Sequence, residues 1–408
     1  MNDCKKTLND VSLISYFLWF PGHFFYQYLI SIELIPPFLG SYLPLVSIFL
    51  LVALSFFNLK NKIELNFSGT RIFFLVLLHT SLCAATYFIF HIPELYYKEL
   101  FIWTCSGIVY NLVCFFISSK LDFYRNKKYH FYLLMIMSAI VMLYTNKYWN
   151  LEFGYSGENV EFIANYQSHA LIIFTASLIF FASYIKHTAL LFFGTFTGIV
   201  ALYFCGARTE FVLFLISISF LLLQSYRTLP NKFIVVTLTT IFFVVLLLTF
   251  LLFPSERMFN LLNVTKDYSV ISRIEFNRES INSIIENPIL GNYGAYASDG
   301  GIGTYPHNIL LAWQNLGLIG FLLYCILFLV LWKELIKCYR TEVIRDTFIF
   351  RLFFMLLISS TVALLFAKNY SYPLVGFLIG IYDQLMRQKQ RFSHNSYYKE
   401  SLLRQTNG

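Results

Sequence analysis

The chain has 408 residues, of which 58% are hydrophobic and 13% charged, with a formal net charge of +8 and a mean hydropathy of +0.63. Soluble domains carry about 25% charged residues, so this composition excludes a water-soluble globular protein. It does not indicate a nucleic-acid-binding protein either, because the cations are not clustered with aromatic residues on a soluble face.

Apolar segments of the length that a helix needs to cross a bilayer recur along nearly the whole chain. Stretches such as 233–253 lack the alternation of a transmembrane β-strand, which excludes a barrel. The first segment continues past Pro21 without a small-residue cleavage site, so we expect it to be a retained helix. We predict an all-α polytopic membrane protein, a single transmembrane domain over 1–408, with about twelve spans that begin near Val11, Leu39, Thr70, Leu100, Tyr129, Ser168, Thr188, Glu210, Phe233, Leu316, Thr347 and Tyr372.

The distribution of positive charge predicts the orientation of these spans. Of the 30 Lys and Arg residues, 21 fall in one set of alternate connections and eight in the other set. Short loops rich in Lys and Arg stay in the cytoplasm. Both termini are therefore expected to be cytoplasmic.

Two predicted outer connections are longer than a tight turn: 146–167 and, between spans nine and ten, 254–306. Loops of this length are often functional. In the longer one, Ser272 and Glu275 have capping-box spacing, and a proline at 288 ends helical sequence, so we expect a helix that begins after Ser272. Its isoleucines fall on one stripe, which also contains Arg278 and makes the helix amphipathic: Ile271, Ile274, Ile281, Ile284 and Ile285.

The outer charges suggest an anion-binding site. Arg208 ends a span and either pairs locally with Glu210 or joins Arg273 and Arg278, since guanidinium groups bind phosphate bidentately. Arg273 would be the first residue of the capped helix, where free N–H groups also favour an anion. His307 adjoins the glycine-rich end of the loop and is suited to act as a general base.

We expect chemistry that needs neither a metal nor another cofactor. The outer aspartates, Asp267 and Asp299, are far apart in sequence and do not have the spacing of a divalent metal site. Arginine and histidine are therefore the candidates for charge stabilisation and proton transfer.

Five short motifs occur in order: Gly206-Ala207-Arg208, Ser272-Arg273, Asn287-Pro288-Ile289-Leu290-Gly291, Pro306-His307-Asn308-Ile309-Leu310 and Gly317-Leu318-Ile319-Gly320. In this order the chain resembles the O-antigen ligase and polymerase superfamily, over a motif region from Cys205 to Gly320. It departs from the family pattern at Asn277, where an aromatic residue is expected soon after the motif arginine. Arg273 and Arg278 therefore remain alternatives for that arginine.

The resemblance implies a bacterial inner-membrane glycosyltransferase whose donor and acceptor are glycans linked to undecaprenyl pyrophosphate, with a periplasmic active site. His307 would be the base, Arg208, Arg273 and Arg278 would stabilise the pyrophosphate, Asn308 would join the substrate-binding set, and the anomeric carbon would be inverted. Besides the lipid bilayer, a chain-length regulator is a candidate partner. We favour a polymerase over a ligase that transfers the glycan to lipid A-core, and over a flippase of lipid-linked oligosaccharides.

Overall fold

The computed structural model describes residues 2–36, 42–60, 67–90, 96–145, 154–157, 160–163, 166–185, 187–228, 268–297, 301 and 303–406, with isolated positions between 240 and 258. These residues are mainly helical. The N-terminal half contains α1 (Asn2–Trp19), α2 (Pro21–Ser31), α3 (Tyr42–Lys60), α4 (Ser68–Phe90), α5 (Tyr97–Lys120), α6 (Lys127–Leu143), β1 (Gly154–Gly157), β2 (Val160–Ile163) and α7 (Tyr166–Tyr184). The C-terminal half contains α8 (Thr188–Cys205), α9 (Arg208–Thr228), α10 (Tyr268–Glu286), α11 (Leu310–Tyr339), α12 (Glu342–Arg345), α13 (Phe348–Phe366) and α14 (Leu374–Thr406).

Helices lie at the positions of eleven of the twelve predicted spans, and the span near Phe233 falls mostly outside the described residues. Within the described ranges, five helices are long and apolar enough to cross a membrane: Ser68–Phe90, Tyr97–Lys120, Gln167–Tyr184, Leu310–Tyr339 and Phe348–Phe366. These helices confirm a helical chain with several candidate membrane spans. The number twelve stays a prediction.

The first predicted span is two helices rather than one. α1 ends at Trp19, and α2 begins with a proline at its first position. Proline lacks the N–H that would continue the first helix, but it fits the first turn of the second. The predicted outer connection 146–167 contains an antiparallel pair of strands, β1 and β2, which the sequence analysis did not foresee.

α5 and α14 form the most extensive helix pair and position one end of the bundle. They approach closely because glycines face the partner: a Cβ at Gly376 would overlap the carbonyl of Asn111, and one at Gly380 would overlap Ser118. The buried Asn111 side chain donates to the carbonyl of Ser371 at 3.1 Å and accepts from Gly376 N at 2.9 Å. This single amide fixes the turn between α13 and α14 against α5.

Several helices present apolar side chains outward, as expected where lipid is the solvent. On α4 the exposed large apolar residues are Leu75, Leu78, Leu82, Ile89 and Phe90. The same helix buries Phe73 and Val76 on its inner side. The exposed apolar surface therefore agrees with a bundle set in a bilayer.

The sequence motif at 287–291 packs against the motif at 317–320. Gly317 interrupts the helical backbone of α11 with φ 65° and ψ −172°, and Gly291 has φ 75°. At this break, Leu318 N donates to the carbonyl of Ile289 at 3.1 Å, and the indole of Trp313 donates to that of Pro288 at 2.9 Å. The segment after α10 therefore lies against a break in α11 that only glycine allows, because a Cβ at Gly317 would overlap Ile289.

Candidate functional site

A cavity of about 530 Å³ opens between the helix ends at the side of the bundle that the charge distribution predicts to be outer. Its walls come from α1, α2, α3, α5, α7, α9, α10 and α13, the turn before α14, and the segment that precedes α11. Binding sites for small molecules commonly have volumes of about 300–1,000 Å³. Of the five predicted site residues, Arg208, Arg273 and His307 line this cavity, while Arg278 and Asn308 do not.

Arg208 is the first residue of α9. The preceding helix ends at Gly206, whose left-handed backbone (φ 69°) turns the chain sharply so that Ala207 and Arg208 reach the cavity wall. Thr209 and Glu210 of the same first turn also line it. The first N–H groups of a helix have no intrahelical acceptor, so this wall carries a guanidinium and the positive end of a helix dipole together.

Arg273 lies in the second turn of α10. The sequence predicted a helix that begins after Ser272, with Arg273 at its first position, and this prediction was wrong because α10 already begins at Tyr268. Val270, one turn earlier, lines the same cavity as Arg273, so the first turn of the helix is part of the wall. The expected pairing of an arginine with a helix N-terminus occurs at Arg208 instead.

His307 is held by a group of aromatic rings. Its imidazole lies 4.5 Å from the Tyr305 ring, and Tyr305 lies 5.7 Å from the Trp103 ring of α5, both measured between centroids. Burial and the positive charges of Arg273 and Lys368 lower the pKa of His307 to about 4. The imidazole is therefore neutral at pH 7 and able to accept a proton.

Asn308 forms hydrogen bonds to α10 and to the start of α11. Its amide nitrogen donates to Asn277 Oδ1 at 2.9 Å, and its own Oδ1 accepts from Leu310 N at 2.9 Å, at the start of α11. Asn277 is the residue that departs from the family pattern, and the hydrogen bond shows what it does here: it joins α10 to the segment that carries His307. Asn308 thus places its neighbour and does not border the cavity.

Arg278 points away from the cavity, and its side chain is exposed. Most isoleucines of the predicted stripe on α10 are exposed as well. Only Ile284 of that stripe is buried, and the exposed members are Ile271, Ile274, Ile281 and Ile285. Of the two alternative arginines, the structure therefore brings Arg273 to His307 and leaves Arg278 outside.

Lys368 is a cavity residue that the sequence analysis did not select. Its ammonium group lies 2.8 Å from Oε1 of Glu210, a carboxylate with a side chain only 1% exposed, and 3.4 Å from Gln167 Oε1. The Tyr372 hydroxyl donates to the same Glu210 oxygen at 3.5 Å. A lysine directly after an apolar span, on the side that is poor in positive charge, was the signal that could have identified it.

Within the described residues, no group of three His, Cys, Asp or Glu side chains could hold a metal ion. Metal-independent chemistry stays a prediction. The polar groups around the cavity are guanidinium, ammonium, imidazole, amide and hydroxyl groups and the single carboxylate of Glu210.

Residues 193–325 match the family model described as O-Antigen ligase. This range contains the motif region from Cys205 to Gly320 and the cavity residues Arg208, Arg273 and His307, whereas Lys368 and Trp103 lie outside it. The resemblance inferred from the motifs is therefore confirmed. Among curated proteins, none matches the chain.

Proposed function

Because residues 193–325 match the family model described as O-Antigen ligase, we propose that the protein is a membrane glycosyltransferase that polymerises O-antigen repeat units. The donor is a glycan linked to undecaprenyl pyrophosphate, and the acceptor is a second lipid-linked repeat unit. The reaction takes place at the periplasmic face of the bacterial inner membrane. The observation that carries this proposal is that Arg208, Arg273 and His307 line one cavity.

The cavity suits a pyrophosphate. Arg208, Arg273 and Lys368 bring three positive charges to its wall against the one negative charge of Glu210, and the first turn of α9 adds backbone N–H groups. Guanidinium groups bind phosphate oxygens through two parallel hydrogen bonds, and a helix N-terminus favours an anion. Glu210 holds Lys368 at 2.8 Å and so fixes the position of the third cation.

In the proposed reaction, a hydroxyl oxygen of the acceptor sugar attacks the anomeric carbon of the donor from the face opposite the pyrophosphate. The bond between that carbon and the pyrophosphate oxygen breaks, and its electron pair leaves with the lipid pyrophosphate. The hydroxyl proton passes to His307, and the anomeric configuration is inverted. The arginines stabilise the charge that develops on the leaving oxygen.

The electrostatics of the site link binding to catalysis. In the free protein, burial and then the positive charges of Arg273 and Lys368 keep the pKa of His307 at about 4, which makes the imidazole a weak base. A bound pyrophosphate neutralises those cations and removes their share of the lowering, so the pKa of His307 rises. His307 therefore becomes a stronger base when the donor is in place.

Two other functions use part of the same arrangement. A ligase would transfer the donor glycan to lipid A-core with the same base and the same arginines. A flippase would need a path for the glycan across the bilayer and no proton acceptor. A neutral imidazole beside the arginines favours a transferase over a flippase.

The test is complementation of a deletion strain, with lipopolysaccharide analysed on gels at matched membrane levels of each variant. We expect His307→Ala to behave like the deletion and Arg278→Ala, whose side chain lies outside the cavity, to restore the native pattern. Core that carries a single repeat in the deletion supports a polymerase. Core without any repeat, with glycan retained on the lipid carrier, indicates a ligase, and native ladders from His307→Ala would refute the proposed site.

A further inference from the structure

The cavity extends beyond His307 along one face of α5. Trp103, Ser106, Gly107 and Tyr110 all line it, at spacings of three, four and seven residues, which place them on the same side of the helix. Seven residues of helix span about 10 Å. We call this part of the cavity, from Trp103 to Tyr110 and the residues that face them, the α5 arm.

A buried histidine, His23, lines the cavity near the Tyr110 end of the α5 arm. Tyr110 packs edge-on against Trp19, with ring centroids 5.8 Å apart, and His23, four residues after Trp19 in the sequence, also lines the cavity. His23 is only 6% exposed, and neither of its ring nitrogens has a hydrogen-bond partner within the described residues. Buried polar atoms are normally paired, so an unpaired imidazole at a cavity wall indicates a missing ligand group or water.

The position of His23 is fixed by neighbouring rings. It stacks on Tyr42 and on His169, with centroid distances of 5.9 and 6.1 Å and interplanar angles of 26° in both cases. Side chains held by packing in this way offer a preorganised surface to a ligand. The imidazole is therefore available for binding without first having to be ordered.

The chemistry of the α5 arm fits a sugar better than a lipid chain or a phosphate. Aromatic rings offer flat faces for the C–H side of a pyranose, while Ser106, Tyr110 and His23 offer groups that hydrogen-bond its hydroxyls. The cations that would attract phosphate are at the other end of the cavity. An isoprenoid chain would leave the imidazole of His23 unpaired.

The connection to His307 indicates which sugar binds here. Trp103 lies 5.7 Å from the Tyr305 ring, and that ring lies 4.5 Å from His307, the proposed base. The acceptor hydroxyl must reach the base, whereas the donor pyrophosphate must reach the arginines. We propose that His23, Tyr110 and Trp103 form a binding subsite for the acceptor saccharide; this inference rests on the proposed function.

The test measures binding of the free oligosaccharide repeat unit, released by mild acid from the strain's own polysaccharide, to the full-length protein in lipid nanodiscs. Trp19 and Trp103 border the subsite and supply a fluorescence signal. We expect His23→Phe, which keeps a stacked ring but removes both nitrogens, to weaken oligosaccharide binding about tenfold. Binding of undecaprenyl monophosphate, measured in parallel, should stay within twofold.

His23→Gln keeps a donor and an acceptor and should retain oligosaccharide affinity within about threefold of the native protein. Melting temperatures of both variants show whether they fold. Native affinity of folded His23→Phe for the oligosaccharide, or an equal loss of affinity for both probes, would overturn the subsite. If the protein transfers no glycan at all but the oligosaccharide still binds through His23, the proposed function fails and the saccharide subsite stands.

Discussion

Glu210 and Lys368 form an ion pair at the cavity wall, with 2.8 Å between carboxylate oxygen and ammonium nitrogen. The two residues are far apart in sequence and come from the first turn of α9 and the turn after α13. Glu210, a candidate partner for Arg208 two residues away, contacts Lys368 in the turn after α13. The ion pair links the segment 193–325, which matches the family model, to the C-terminal helices outside that segment.

Removal of Lys368 should destabilise the protein more than removal of a surface charge. Glu210 is 1% exposed, so Lys368→Met leaves a buried carboxylate without its cation, at a cost of about 3–5 kcal/mol. The double variant Lys368→Met/Glu210→Leu should recover most of that loss, because no unpaired charge remains. Thermal unfolding in one detergent measures both, and equal melting temperatures for the native protein and Lys368→Met would contradict this account.

Substitution of Arg273 should raise the pKa of His307. A nearby positive charge disfavours the protonated imidazole, so Arg273→Met should move the pKa up from about 4. The imidazole then gains its proton at a higher pH as the solution is acidified. Histidine resonances of the isotope-labelled protein, followed during a pH titration, report the shift. Arg278→Met is the control and should leave the His307 titration unchanged.

The two alternative arginines should differ in their effect on activity. Arg273→Ala removes a cation from the cavity and should lower the transfer rate by about a hundredfold to a thousandfold, as loss of a preorganised charge-stabilising group does. Arg278→Ala changes an exposed side chain and should keep activity within twofold. Rates measured with purified protein at equal folded concentration decide between them. A larger loss from Arg278→Ala would reassign the motif arginine.

Gly317→Ala should disturb the contact between the segment after α10 and α11. The new methyl group would overlap the carbonyl of Ile289, and the backbone there has a φ of 65°. Strain of this kind costs on the order of 1–3 kcal/mol. Gly303→Ala is a matched control, because a Cβ at Gly303 has no neighbour within 4 Å. Similar melting temperatures for the two variants would show that the contact does not stabilise the fold.

Patterns along the sequence were sufficient to predict most of the helix positions and the family resemblance of this protein. The apolar segments determined where the helices lie, since a helix that crosses a bilayer must be apolar over its full length. The order of the short motifs predicted the family resemblance, and the predicted site residues include Arg208, Arg273 and His307, which line the cavity. The start of α10 was misjudged, because Ser272 has capping-box spacing with Glu275 but lies inside a helix whose first turn belongs to the cavity wall.

Only the tertiary structure decided which of these side chains meet. The sequence left Arg273 and Arg278 as alternatives for the motif arginine. In the structure, the face of α10 that carries Arg273 lines the cavity, whereas Arg278 is exposed. Lys368, Trp103 and His23 come from distant parts of the chain, and they line the same cavity as His307 because of the way α2, α5, α13 and α14 pack. A linear pattern records distances along the chain, whereas a binding cavity depends on distances between helices.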